Sequence, residues 1–182
     1  MKMTITEIID LLVHKGESQY SGEAITQLQH ALQCAHLAET AHETPQMITA
    51  SLLHDIGHLI TQEFSQDHET SKHQDDLHQY IALPFLRPLF SEDVLAPIRL
   101  HVDAKRYLCF EDSSYWEALS PTSKHTLELQ GGVFSSEAAQ IYIQQPFAQD
   151  AVRLRRYDDL AKVPHVQTPP LSHYRKIAES LT

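Results

Sequence analysis

The stretch SLLHDIGH, Ser51 to His58, sets two histidines and an aspartate among leucine and isoleucine. On one helix, His54 and His58 share a face at i and i+4, and Asp55 projects about 100° from His54 yet can meet a cation placed between the two directions. Imidazole and carboxylate suit one or two cations without thiolate. A buried histidine bonded to its neighbouring carboxylate is the plainer reading of the same pair. Other polar residues recur at helical spacings. His30 lies in the preceding helix, with Glu23 two turns back on the same face and Tyr20 just before it. His78 follows, then His101 with Lys105 at i+4, and finally Asp158 just after Arg155 and Arg156. Each alone fits a surface or core role, but 13 histidines in 182 residues direct the search toward metal.

The elements that must position these residues are helices. Apolar spacing of three or four recurs, while the alternation expected of strands is scarce, so the chain reads as all-α and, at 182 residues, as one domain over 1–182. Helices are expected over 5–15, about 22–41 and 46–60, the last opened by Thr44 as cap and Pro45 at the first position, with Gly57 weakening or ending it. A further helix over 75–90 is interrupted near Pro84 and Pro88. Ser91 caps another over 92–108, Ser120 and Pro121 open one over 122–130 that Gly131 and Gly132 end, and the rest cover 136–145, 147–163 and 172–181.

Composition narrows the function. A net charge of −10 argues against nucleic acid as partner, since phosphate binding over a large surface requires clustered positive charge. RLRRYDD is the one basic cluster, and its aspartates mark a charged pocket or a solvated helix face. No apolar run approaches the roughly 20 residues that cross a bilayer, and the N-terminal stretch mixes acids into its apolar residues; a cytoplasmic protein without membrane association is expected. Cys34 and Cys109 lack disulfide or zinc spacing and read as core.

In order, the candidate ligands run H, HD, H, H, D, which resembles the HD-domain superfamily, and the two extra histidines resemble its dinuclear branch. More narrowly, YSGEAITQLQHALQCA, LLHDIGH, HVDAKRYL, TLELQGG, RRYDD and HYRKI are similar, in sequence and order, to the PhnZ-like mixed-valence diiron oxygenases of organophosphonate breakdown. This resemblance runs from about Tyr20 to Ile177. It implies an HD-domain helical bundle with a dinuclear site in its core, in which His30, His54, Asp55, His78, His101 and Asp158 bind two iron ions, an Fe(II)/Fe(III) pair, with Asp55 bridging.

It also implies that His58, Lys105, Ser123 and Arg155 hold a phosphonate, with Gln130 in support, and that Tyr20 and Glu23 guard the open iron position. The implied reaction uses O2 to cleave the carbon to phosphorus bond of a 1-hydroxyalkylphosphonate such as 2-amino-1-hydroxyethylphosphonate, giving glycine and phosphate. Hydroxymethyl and trimethylated analogues stay open, as does a monomer or small homo-oligomer. One departure concerns His78: relatives usually continue H-E-x-x-G-A, whereas Gln79 and Ala82 stand here, and His68 and His73 compete for the position, although His78 best preserves the distance to His101. Metal-dependent hydrolysis of a phosphate ester, the commoner activity among HD proteins, is the rival reading.

Overall fold

The computed structural model describes residues 3–20, 22–64 and 77–182; His68 and His73 lie outside them. Thr4 opens α1 (Ile5–Lys15) with a capping box, its hydroxyl accepting the Glu7 N–H while the Glu7 carboxylate accepts the Thr4 N–H. Thr26 and Gln29 repeat the device and open α2 (Gln27–Thr40). The expected start at Gly22 is therefore corrected: Gly22 takes φ +79°, and the turn folds back so that the Tyr20 N–H donates to the Ile25 carbonyl.

Thr44 accepts the Met47 N–H and opens α3 (Pro45–Leu53), and α4 (Ile56–Phe64) follows. One helix was expected over 46–60, but it breaks, with His54 and Asp55 in the break. His54 and His58 thus do not share one helix face. Gly57 does not cause this break, for it lies inside α4, where a Cβ would stand 2.0 Å from the His78 carbonyl oxygen. The glycine admits the backbone of another element.

That element is α5 (His78–Ile81), entered through Leu77 at φ +53° and followed by α6 (Leu83–Leu86) with Pro84 in its first turn. The described part of the helix expected over 75–90 is therefore two short pieces. The long α7 (Glu92–Glu111) runs beyond its expected end, and Ser91 has the extended backbone of a cap but makes no side-chain cap bond. A short α8 (Ser113–Ala118), capped by Asp112, has no counterpart in the periodicity. Ser120 caps α9 (Pro121–Leu129) as expected, and α10 (Ser136–Ile143), α11 (Ala148–Leu160) and α12 (Leu171–Glu179) complete the order. Among the described residues there is no strand, only an isolated bridge between Gln19 and Thr26.

The main core draws Ile8 and Leu12 from α1, Ala35 from α2, Leu53 from α3, Ile56 and Leu59 from α4, Leu86 from α6, Ile98 from α7, Leu154 from α11 and Tyr174 from α12. A second cluster joins Leu100, Ala104 and Leu108 of α7 to Tyr142 of α10 and Ala151 of α11. Helix α7 therefore belongs to both, with His101 and Lys105 buried along it. Each buried leucine or isoleucine contributes about 1.5–3 kcal/mol, whereas an unpaired buried polar group costs a comparable amount. The apolar frame thus offsets the cost of a polar interior.

Candidate metal centre

That interior is where five helices meet. His30 comes from the middle of α2, His54 from the end of α3, Asp55 from the break, His78 from the start of α5, His101 from α7 and Asp158 from α11. His30 and His54 are fully buried, and His101, Asp158 and His78 nearly so. Asp55 divides its carboxylate between two groups. Its Oδ2 lies 3.5 Å from His54 Nε2 and 3.7 Å from His30 Nε2, while its Oδ1 lies 3.2 Å from His78 Nε2 and 3.7 Å from His101 Nε2. Asp158 closes the first group, with Oδ1 3.5 Å from His30 Nε2 and Oδ2 4.0 Å from His54 Nε2.

Hydrogen bonds settle which nitrogen of three rings carries the proton. His30 Nδ1 lies 2.8 Å from the Ala161 carbonyl, His54 Nδ1 2.9 Å from that of Ser51 and His101 Nδ1 2.7 Å from that of Ile98. A carbonyl only accepts, so each Nδ1 donates, and in the neutral ring each Nε2 presents a lone pair. His30 Nε2 and His54 Nε2 nevertheless face each other at 3.3 Å, and His78 Nε2 faces His101 Nε2 at 3.1 Å. For His30 and His54, two lone pairs so close repel unless a cation lies beside both. Neighbouring donors on a cation with bonds of about 2.1 Å stand about 3 Å apart, so the spacing fits two cations with one Asp55 oxygen turned to each. Carbonyl-oriented imidazoles are also how metal-binding histidines are held.

Charge follows the same pattern. Burial, with the neighbouring His54, lowers the His30 imidazolium pKa to about 4 despite the Asp158 charge, and burial with His78 holds His101 well down, so both rings are neutral near pH 7. Burial alone would raise the carboxyls of Asp55 and Asp158. Facing imidazoles, His54 first, outweigh it at Asp55, and Arg155 followed by Lys162 does so at Asp158; both carboxylates stay ionised.

Beside the histidines lies an oxyanion-friendly wall. Arg155 is buried, with Nη1 2.7 Å from Asp158 Oδ2, and its other nitrogens bond Asp159 and Tyr115. Lys105 donates to Thr126 Oγ1 at 2.9 Å, and burial, with the Arg155 charge, lowers its pKa to about 7. Ser123 is buried at the start of α9, and the Gln130 Oε1 at the end of that helix is buried without a hydrogen-bond partner. His58 stacks on His78 at 4.1 Å between centroids, with Nε2 3.9 Å from Asp55 Oδ1. Tyr20 stacks on His30 at 3.8 Å, and its hydroxyl lies 3.4 Å from Asp158 Oδ1. Glu23 is half-buried; its N–H donates to the Tyr20 carbonyl. Of the expected site residues, Gln130 and Glu23 make no side-chain hydrogen bond or ion pair to this cluster among the described residues.

Residues 28–141 match the HD domain family. The chain belongs to the HD-domain family. It is 43% identical over 179 residues to the hydroxymethylphosphonate dioxygenase of Gimesia maris, covering 97% of this chain and 87% of the relative. It is 32% identical over 169 residues to a [1-hydroxy-2-(trimethylamino)ethyl]phosphonate dioxygenase (glycine-betaine-forming) of Leisingera caerulea, covering 92% and 84%. It is also 36% identical to the uncharacterized protein L432 of Acanthamoeba polyphaga mimivirus, over 95% and 79%.

The HD match ends before α11, so Arg155 and Asp158 reach the centre from beyond it. Several contributors escaped the sequence reading. Cys34, expected as core, is buried, but its Sγ lies 3.6 Å from His30 Nε2, one helical turn along α2. Tyr115, on the unforeseen α8, and Asp159 brace Arg155. Asp159 at i+4 from Arg155 was the available signal; nothing local marks Tyr115.

Proposed function

We propose that this HD domain binds two iron ions, a mixed-valence pair, and uses O2 to cleave the carbon to phosphorus bond of a 1-hydroxyalkylphosphonate. The observation that carries the reading is the division of Asp55: each carboxylate oxygen faces its own pair of imidazole nitrogens. His30, His54 and Asp158 would hold one ion, His78 and His101 the other, with Asp55 between. A donor set of imidazole and carboxylate suits redox-active iron. In the metal-free protein, burial raises the Cys34 thiol pKa and the Asp158 charge adds to the effect. Bound iron would supply the redox chemistry that activates O2, which hydrolysis of this bond lacks.

This chain's own residues bind and orient. Arg155 and Lys105 offer the charge-assisted donors that a phosphonate dianion requires, and Ser123 adds a hydroxyl. His58 flanks His78 on the same side of Asp55. Tyr20 covers His30 and reaches Asp158, and we assign it the guard of the open iron position; Glu23, on the same turn, is available to a substrate ammonium group. The two phosphonate-dioxygenase relatives support the phosphonate class, and their substrates differ in the group on carbon. For hydroxymethylphosphonate the balance is substrate plus O2 to formate and phosphate; for 2-amino-1-hydroxyethylphosphonate it is glycine and phosphate.

The test is phosphate release from hydroxymethylphosphonate, 2-amino-1-hydroxyethylphosphonate and its trimethylated analogue by iron-loaded protein, with oxygen uptake followed. One phosphate per O2 consumed is expected. Equal release under strict anaerobiosis would make the protein a hydrolase.

A further inference from the structure

Lys162 stands just after α11, at a position no motif singled out. Its Nζ donates to Ser123 Oγ at 3.0 Å and lies 6.0 Å from the centre of the Tyr20 ring. The backbone on both sides of it is pinned. On one side, the Ala161 carbonyl accepts from His30 Nδ1. On the other, buried Gln33 closes two bonds on Val163, its Nε2 donating to the carbonyl at 2.9 Å and its Oε1 accepting the N–H at 3.2 Å. The backbone that carries the lysine is therefore held by the same helix, α2, that carries His30, and the cost of ordering that backbone is met before a ligand arrives.

Hydrogen-bond accounting shows what is left over. Ser123 Oγ accepts from Lys162 Nζ and from Ser120 Oγ, so its own hydroxyl proton has to point elsewhere. An ammonium has three donors, and Lys105 and Lys162 each spend one in the bonds above, on Thr126 and Ser123. No carboxylate among the described residues pairs with either ammonium within ion-pair distance. Unspent donors on Ser123, Lys105 and Lys162 thus gather near Arg155, which spends only part of its five N–H donors on Asp158 and Asp159. The missing partner is an acceptor with several oxygens and more than one negative charge.

We infer that Lys162 is a substrate-binding residue, completing with Ser123 and Lys105 a cradle that selects a doubly charged phosphonate over singly charged anions. This rests on the phosphonate reading above. The second charge of the dianion is what a third cation rewards, since Coulomb attraction scales with the product of charges.

The experiment titrates anaerobic, iron-loaded protein with two unreactive probes, methylphosphonate as dianion and methyl methylphosphonate as monoanion, by calorimetry. Lys162→Met is expected to weaken methylphosphonate binding by about 10- to 100-fold, the range for a lost charge-assisted bond, and the monoester by far less. Lys162→Arg should restore most of the difference, and Lys176→Met, on the exposed side of α12, should change neither. Unchanged methylphosphonate affinity in Lys162→Met, or equal loss for both probes, would overturn the assignment. Should that variant lose iron or fold poorly, the wild type decides: methylphosphonate must protect Lys162, and not Lys176, from reductive methylation, and equal labelling overturns it. Phosphate release without oxygen would sink the oxygenase reading while leaving these affinities to judge Lys162 by themselves.

Discussion

The carbonyl oxygen of His78 lies 2.0 Å from the point where a Cβ on Gly57 would stand. Glycine at this position is what lets α5 lie against α4 and carry His78 to within 3.2 Å of Asp55 Oδ1. Gly57→Ala must push backbone away, since the obstructing atom is not a flexible side-chain tip. We expect about 1–3 kcal/mol of destabilisation, typical of overpacking, and a bound-iron content that falls toward one ion per chain. Thermal denaturation and metal analysis check both; full iron content with wild-type stability would contradict the packing role.

Removing a ligand of one ion separates a two-ion centre from a polar core. His54→Ala and Asp158→Ala should each abolish paired-metal binding after anaerobic reconstitution. Asp158→Ala also deprives Arg155 Nη1 of its 2.7 Å partner and leaves a buried cation less well paired, so it should be the less stable of the two. Wild-type stoichiometry in both variants would refute the ligand assignment.

Acid should unfold the metal-free protein early. His30 has its pKa lowered to about 4, against about 6.5 in the unfolded chain, so the unfolded state binds more protons between those values. Stability therefore declines as pH falls through this window, by roughly 3 kcal/mol from this ring alone. His101 acts in the same direction, and Asp55 and Asp158 extend the loss at still lower pH because their carboxyls are held down in the fold. Urea midpoints of chelator-treated protein from pH 8 to 4 measure this; a flat profile would contradict neutral buried imidazoles.

Lys105 predicts an alkaline limb in substrate binding. Its pKa is lowered to about 7, so the ammonium that attracts a dianion is lost as pH rises above that value. KM for the phosphonate should climb between pH 7 and 9, with kcat changing less, and Lys105→Arg should flatten the climb because guanidinium stays charged. An identical climb in Lys105→Arg would assign the limb to another group.

Tyr20 predicts a separable effect. Tyr20→Phe keeps the stacking on His30 and removes only the hydroxyl that reaches Asp158 at 3.4 Å, a long bond worth little to stability. The folded protein should keep its iron and melt within about 1 kcal/mol of wild type, yet consume oxygen without substrate faster. Unchanged substrate-free oxygen uptake would remove Tyr20 from the guarding role.

Much of this was legible in the residues themselves. Helix starts at Ile5, Pro45 and Pro121 follow from caps that act within one turn, and the all-α class follows from spacing of three and four. The candidate donors, their order and the family were readable too, because side-chain chemistry belongs to the residue wherever it folds. What local patterns concealed was the break at His54 and Asp55. Both α3 and α4 bury apolar residues, so the periodicity runs through the interruption without a mark.

Only the packed chain decided that Asp55 would turn one oxygen to His30 and His54 and the other to His78 and His101, that Gly57 would serve His78, and that Gln33 would hold Lys162 beside Ser123. Spacing along a chain constrains neighbours within a turn or two. Which distant groups meet is set by how apolar faces of separate helices fill one another, and that is a property of the whole core.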